Sequence, residues 1–147
     1  MNQRALCSAI VACFVLVGCA APGGRHGGIA AGNAPECPGT TCRIDVVVEC
    51  ASTCTAKADP KILVVLDRVH GAKVIQWNLT GAEGFRFADD GVKFEGGAPF
   101  QCNSPQADKI TCTDQHQSAG AYPYTLDVVK RSDPSMRIPV DPWVVNK

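Results

Sequence analysis

The chain beyond residue 36 is predicted to be all-β, an antiparallel β-sandwich of seven or eight short strands. Three observations lead there. Short stretches alternate apolar and polar residues with period two, clusters of Gly, Pro, Asn and Asp separate them, and no stretch after residue 18 repeats apolar residues at helical spacing.

The strands follow in order. Arg43 to Glu49 places Ile44, Val46 and Val48 on one face. Lys61 to Asp67 is apolar on both faces from Ile62 to Leu66, which suits the middle of a sheet. Lys73 to Leu79 points Ile75, Trp77 and Leu79 inward, with Gln76 and Asn78 outward. Phe85 and Phe87 flank Arg86, and Ala88-Asp89-Asp90-Gly91 is expected to turn the chain into Val92-Lys93-Phe94, because Gly91 tolerates the positive φ of a tight connection. Further strands are expected at Ala98 to Cys102, Lys109 to Thr113 and Tyr122 to Lys130, the last with Tyr122, Tyr124, Leu126 and Val128 on one side. Pro139 and Pro142 confine the tail, Ile138 to Val145, to a sheet edge, since proline donates nothing to a ladder.

The start of the chain carries a different signal. Met1-Asn2-Gln3-Arg4 precedes thirteen uncharged residues, Ala5 to Val17, the pattern of a secretory signal. Gly, Pro and Arg follow too soon for a permanent span, which needs about 20 apolar residues. Leu16-Val17-Gly18-Cys19 resembles the lipobox of bacterial lipoprotein precursors at all four positions. That resemblance implies cleavage before Cys19 and acylation of its thiol, because a thioether can carry the diacylglyceryl group. Several acyl chains on one cysteine anchor firmly, at about 0.8 kcal/mol per buried CH₂. Ala20 stands where the family rule reads Asp as an inner-membrane retention signal, so the resemblance also implies the outer membrane, with the domain in the periplasm.

The chain thus divides into a signal peptide over 1–18, a lipidated cysteine and Gly/Ala/Pro tether over 19–36, and one domain over 37–147. A 17-residue Gly-rich coil spans about 23 Å, enough to lift a globule off the headgroups. Basic and acidic side chains are equal at 14 each, which gives no support to nucleic-acid binding.

Nine cysteines sort by compartment. On the lipobox resemblance, Cys7 and Cys13 lie in the segment expected to be removed and Cys19 is expected to carry lipid. The remaining Cys37, Cys42, Cys50, Cys54, Cys102 and Cys112 form an even set that an oxidising compartment turns into as many as three disulfides. The preferred pairing is local: Cys37 with Cys42, Cys50 with Cys54, and Cys102 with Cys112 across a hairpin. Cys42 with Cys50 is disfavoured, because a strand between them would hold their α-carbons about 26 Å apart, against a limit of about 7 Å. A swap such as Cys37 with Cys54 stays open.

Trp77 on the third strand, together with Tyr122-x-Tyr124-x-Leu126-x-Val128, is similar to the immunoglobulin-type arrangement, and that resemblance implies Ig-like topology. No cysteine stands where the inter-sheet bridge of antibody domains would be. The stretch from Trp77 through Gly91-Val92-Lys93-Phe94 and Tyr122-Pro123-Tyr124 to Asp141-Pro142-Trp143-Val144-Val145-Asn146 also resembles small, uncharacterised secreted bacterial β-proteins, which brings no activity with it.

No cofactor and no catalytic constellation is legible, and no serine has a nucleophile-elbow context. The working expectation is a non-enzymatic, lipid-anchored envelope protein with an envelope protein as partner. A metal-binding alternative places His70, Cys112 and His116 as the ligands of a cupredoxin-like copper site, with Met136 too far along the chain for the usual axial position. An inhibitor alternative rests on Ser118-Ala119-Gly120-Ala121-Tyr122, which resembles, with altered spacing, the Ser-Gly-x-x-Tyr loop of periplasmic lysozyme-inhibitor lipoproteins. Asp89-Asp90 reads as a turn and not as paired acids.

Overall fold

A computed structural model describes residues 32–66, 71–96, 99–115 and 118–147. The expected signal segment, Cys19, most of the expected tether, His70 and His116 lie outside them. Among the described residues there are eleven strands: β1 (Glu36–Cys37), β2 (Thr41–Cys50), β3 (Cys54–Asp59), β4 (Ile62–Val65), β5 (Lys73–Thr80), β6 (Phe85–Phe94), β7 (Phe100–Cys102), β8 (Lys109–Asp114), β9 (Gly120–Lys130), β10 (Asp133–Val140) and β11 (Trp143–Asn146). The all-β class is as the alternation predicts.

The strands form two sheets. One has the order β3-β2-β5-β8-β7; the other runs β1-β4-β11-β9-β10, with β6 pairing along the remaining side of β9. Both are mixed, which corrects the antiparallel expectation: β2 runs parallel to β5, and β4 runs parallel to both β1 and β11. The cause is non-local. After β2 the chain makes the β3 hairpin, crosses to β4 in the opposite sheet and returns, so β5 arrives beside β2 in the same direction; a tight turn cannot produce that pairing.

The β4 strand sits between β1 and β11, as its two apolar faces require. Two sequence expectations change. Asp89-Asp90-Gly91 does not turn the chain around; β6 continues along β9 with a bulge, Phe87 opposite Val128 and Val92 opposite Leu126. Gly91 absorbs the distortion at φ +65°, and a Cβ there would come 3.1 Å from Pro105 Cγ. The tail is also not a sheet edge throughout. Pro142 occupies the jog between β10 and β11, where its carbonyl accepts the Tyr124 N–H at 3.2 Å, and β11 then lies inside the sheet between β4 and β9. Pro139 stays on β10, which has only β9 as its ladder partner.

The sheets meet over a core of Ile44, Val46, Ile75, Trp77 and Ile110 from one side and Phe87, Tyr124, Leu126, Val128, Val65 and Val144 from the other. Trp77 and Tyr124 tie the layers together, their rings edge to face at 5.3 Å and the indole N–H donating to the Tyr124 hydroxyl at 2.7 Å. That bond satisfies the one polar atom of a fully buried Trp. Disulfides join Cys37 to Cys42, Cys50 to Cys54 and Cys102 to Cys112.

Candidate functional site

The two ends of the sandwich differ, and the difference singles out one of them. At one end, the hairpin pole, short turns join β2 to β3, β5 to β6 and β9 to β10. At the other, the loop pole, β4, β6 and β8 end and β5, β7 and β9 begin, so the β4–β5, β6–β7 and β8–β9 connections are anchored there. Their anchor points converge: Lys73 at the start of β5 lies opposite Asp114 at the end of β8, which in turn faces Phe100 at the start of β7. Asn146 faces both Val65 and Gly120. Because β1 runs parallel to β4 toward this pole, the chain preceding it arrives beside the Asp59–Ile62 turn and points away from the loops.

An aromatic row builds the pole from the core outward. Phe94 contacts both Trp77 and Tyr124, stacks on Phe100 with centroids 4.0 Å apart, and Phe100 meets Tyr122 edge to face at 5.3 Å. Tyr122 then reaches the backbone, its hydroxyl donating to the Ser118 carbonyl at 3.0 Å. It leans over Gly120, where a Cβ would stand 3.3 Å from the hydroxyl oxygen, so an added methyl would push the ring aside by a few tenths of an ångström. Beside it runs a shallow, largely apolar groove lined by Glu95, Gly96, Ala119, Gly120, Ala121, Tyr122 and Pro123.

Three polar side chains are buried on the inner faces at the same end: Lys73, Asp114 and Asn146. Lys73 Nζ donates to the Gly39 carbonyl at 3.3 Å, which ties the Cys37–Cys42 crossover to β5. Both side-chain amide atoms of Asn146 are buried without a hydrogen-bond partner. Such atoms cost about 1–3 kcal/mol each in a closed core.

The other residues singled out in the sequence separate. Cys112 Sγ is bonded to Cys102, which corrects the copper alternative by removing the thiolate it needs. Its histidine partners fall outside the described residues, among which no cluster of three His, Cys, Asp or Glu side chains could hold a metal ion. Asp89 and Asp90 are not paired acids: Asp89 accepts from Arg86 at 2.6 Å, while Asp90 accepts from Lys93 at 2.6 Å and from Arg137 at 2.9 Å. Those bonds from Lys93 and then Arg137 hold the Asp90 carboxyl down at about 2. Arg137 also donates to Asp127, which completes a cross-strand charge network. Burial pushes the Tyr124 phenol well up, against the opposing Trp77 hydrogen bond. It is a core group and carries no proton chemistry near neutral pH.

Sequence reasoning missed the pole itself. The spacing of Phe94, Phe100 and Tyr122 has no local period, and only the pairing of distant strands brings them together.

No family model and no curated protein matches the chain. Among solved structures it is similar to the cysteine protease inhibitor EhICP2 from Entamoeba histolytica at 10% identity, over 74% of this chain and 99% of that one, with a TM-score of 0.36. A likeness that distant leaves the activity of this chain to be argued from its own residues.

Proposed function

We propose that this protein is a lipid-anchored component of a bacterial cell envelope, acylated at Cys19 and held at the periplasmic face of the outer membrane. There it acts as a non-enzymatic binding module that offers its loop pole to an envelope partner. One observation carries the binding part: three connections and an aromatic row converge on one end, while β1 comes up toward that end from the tether side. Rigid sandwiches commonly present binding residues on such loops, because the scaffold absorbs the cost of ordering them. The lipobox supports the anchor, and three disulfides in a domain of this size suit an oxidising compartment.

The inhibitor reading is kept as a second proposal because Ala119 to Tyr122 line the groove, with the Ser118 carbonyl fixed by the Tyr122 hydroxyl. Its test is direct: the purified protein either slows a lysozyme or leaves its rate unchanged.

The anchor is tested by intact-mass spectrometry of the mature protein and by fractionation of Cys19→Ser. A product carrying diacylglyceryl and acyl groups, with the variant released from membranes, is expected. An unlipidated mature product, or unchanged membrane association of the variant, would overturn the reading.

A further inference from the structure

The three disulfides differ in what surrounds them. Cys37 and Cys42 are both buried, so their bridge is closed to solvent. Cys50 is exposed, but its bridge closes only the Ala51–Thr53 turn of a hairpin whose ladder continues from Glu49 and Thr55 through Asp45 and Asp59. The Cys102–Cys112 bridge combines access with consequence. Cys112 is buried on the core face of β8, whereas Cys102 is exposed on β7, a three-residue edge strand that pairs with β8 alone. That strand begins with Phe100, the ring that joins Phe94 to Tyr122 at the loop pole.

We infer that Cys102 Sγ is a site of thiol–disulfide exchange, and that reduction of the Cys102–Cys112 bridge by a dithiol loosens β7 and Phe100 and so reshapes the loop pole. Access decides which sulfur reacts. A thiolate of the dithiol attacks Cys102 Sγ, the Sγ–Sγ bond breaks, and Cys112 leaves as a thiolate that takes up a proton. The second thiol of the reductant, once deprotonated, attacks its own partner sulfur in the mixed disulfide. Cys102 leaves as a thiolate and takes up the second proton. Two electrons pass to the protein, and the reductant ends as a disulfide.

After reduction β7 keeps its short ladder and the Asn103 N–H bond to the Thr111 carbonyl at 2.9 Å, but it loses its covalent tie. Edge segments with so few bonds open locally, while the sheet centre stays closed. The inference goes beyond the binding proposal and its test involves no partner, so the two fail separately.

The test is graded reduction of the full-length protein with dithiothreitol, followed by alkylation, peptide mapping and amide hydrogen exchange. Cys102 and Cys112 are expected to label while Cys37 and Cys42 remain bridged, with exchange over Phe94 to Cys102 rising about tenfold or more and β2 and β5 unchanged. Cys50 and Cys54 supply the control: opening their bridge by itself is expected to leave exchange over Phe94 to Cys102 unchanged. The inference is overturned if Cys37–Cys42 reduces first or together with Cys102–Cys112. It is equally overturned if exchange over Phe94 to Cys102 stays constant after the bridge opens, or if the whole domain unfolds. A Cys102→Ala/Cys112→Ala double variant should show the raised exchange without reductant; should that variant not fold, graded reduction of the native chain still decides.

Discussion

At the hairpin pole two of the connections are closed by local chemistry. Gly81 and Gly84 take positive φ in the β5–β6 turn and the Cys50–Cys54 bridge closes the β2–β3 turn, while one distant bond, Arg131 N–H to the Gly84 carbonyl at 2.7 Å, ties the β9–β10 turn to its neighbour. At the loop pole the strand ends are held by groups from elsewhere in the chain: Phe100 against Tyr122, Phe94 against Tyr124, Lys73 on Gly39. One end is therefore shaped chiefly by turn residues, which act within a few positions, and the other chiefly by tertiary contacts. The loops of the second can change in sequence while their anchors stay, which is what a binding surface on a fixed scaffold requires.

Substitutions sharpen that contrast, beginning with the core between the poles. Trp77→Ala removes a fully buried indole and strands the Tyr124 hydroxyl; a loss of about 3–5 kcal/mol in denaturant unfolding is expected, with both ends loosened alike. Tyr124→Phe keeps the ring and leaves the Trp77 N–H buried without an acceptor, for about 1–3 kcal/mol by the same measurement. Gly91→Ala meets both a positive φ and Pro105; thermal unfolding should register about 1–2 kcal/mol, larger than for Gly81→Ala, where nothing lies within 4 Å of the added methyl. Tyr122→Ala should cost less globally yet raise amide exchange at Ser118 to Gly120 only; a matching rise in the β5–β6 turn would show that the poles are not independent.

The smallest effect belongs to the outer-face charges. The folded pKa of Asp90 lies below its unfolded value, so its contribution is present above pH about 4 and is lost as pH falls toward about 2. The carboxylate is about one-third exposed, so solvent screening limits the loss to a few tenths of a kcal/mol, read as the difference in acid stability between the wild type and Asp90→Asn.

Much of the fold was legible where alternation is strong. The β2 and β5 strands show it plainly, and β9 carries its inward residues at every second position. Other elements left little trace. Cys54-Thr-Ala-Lys-Ala-Asp of β3 has no large apolar residue and becomes a strand by pairing with β2, and the first half of β10 is exposed, Met136 included. The β6 bulge imitates a turn because Asp-Asp-Gly serves both purposes. Parallel pairing was invisible for a related reason: alternation reports which face of a strand is buried and says nothing about its neighbour's direction. The loop pole lay beyond reach because register across distant strands creates it, although the disulfide partners within it are close enough in sequence to have been paired from spacing.

The most direct test of the pole as the proposed contact surface compares capture of an envelope protein by the full-length wild type, Ala119→Arg in the loop-pole groove, and Glu83→Arg at the hairpin pole. Both altered positions are exposed, so neither variant disturbs the core. Capture should be abolished by the first substitution and unaffected by the second. Retention by Ala119→Arg, or loss through Glu83→Arg, would contradict the assignment.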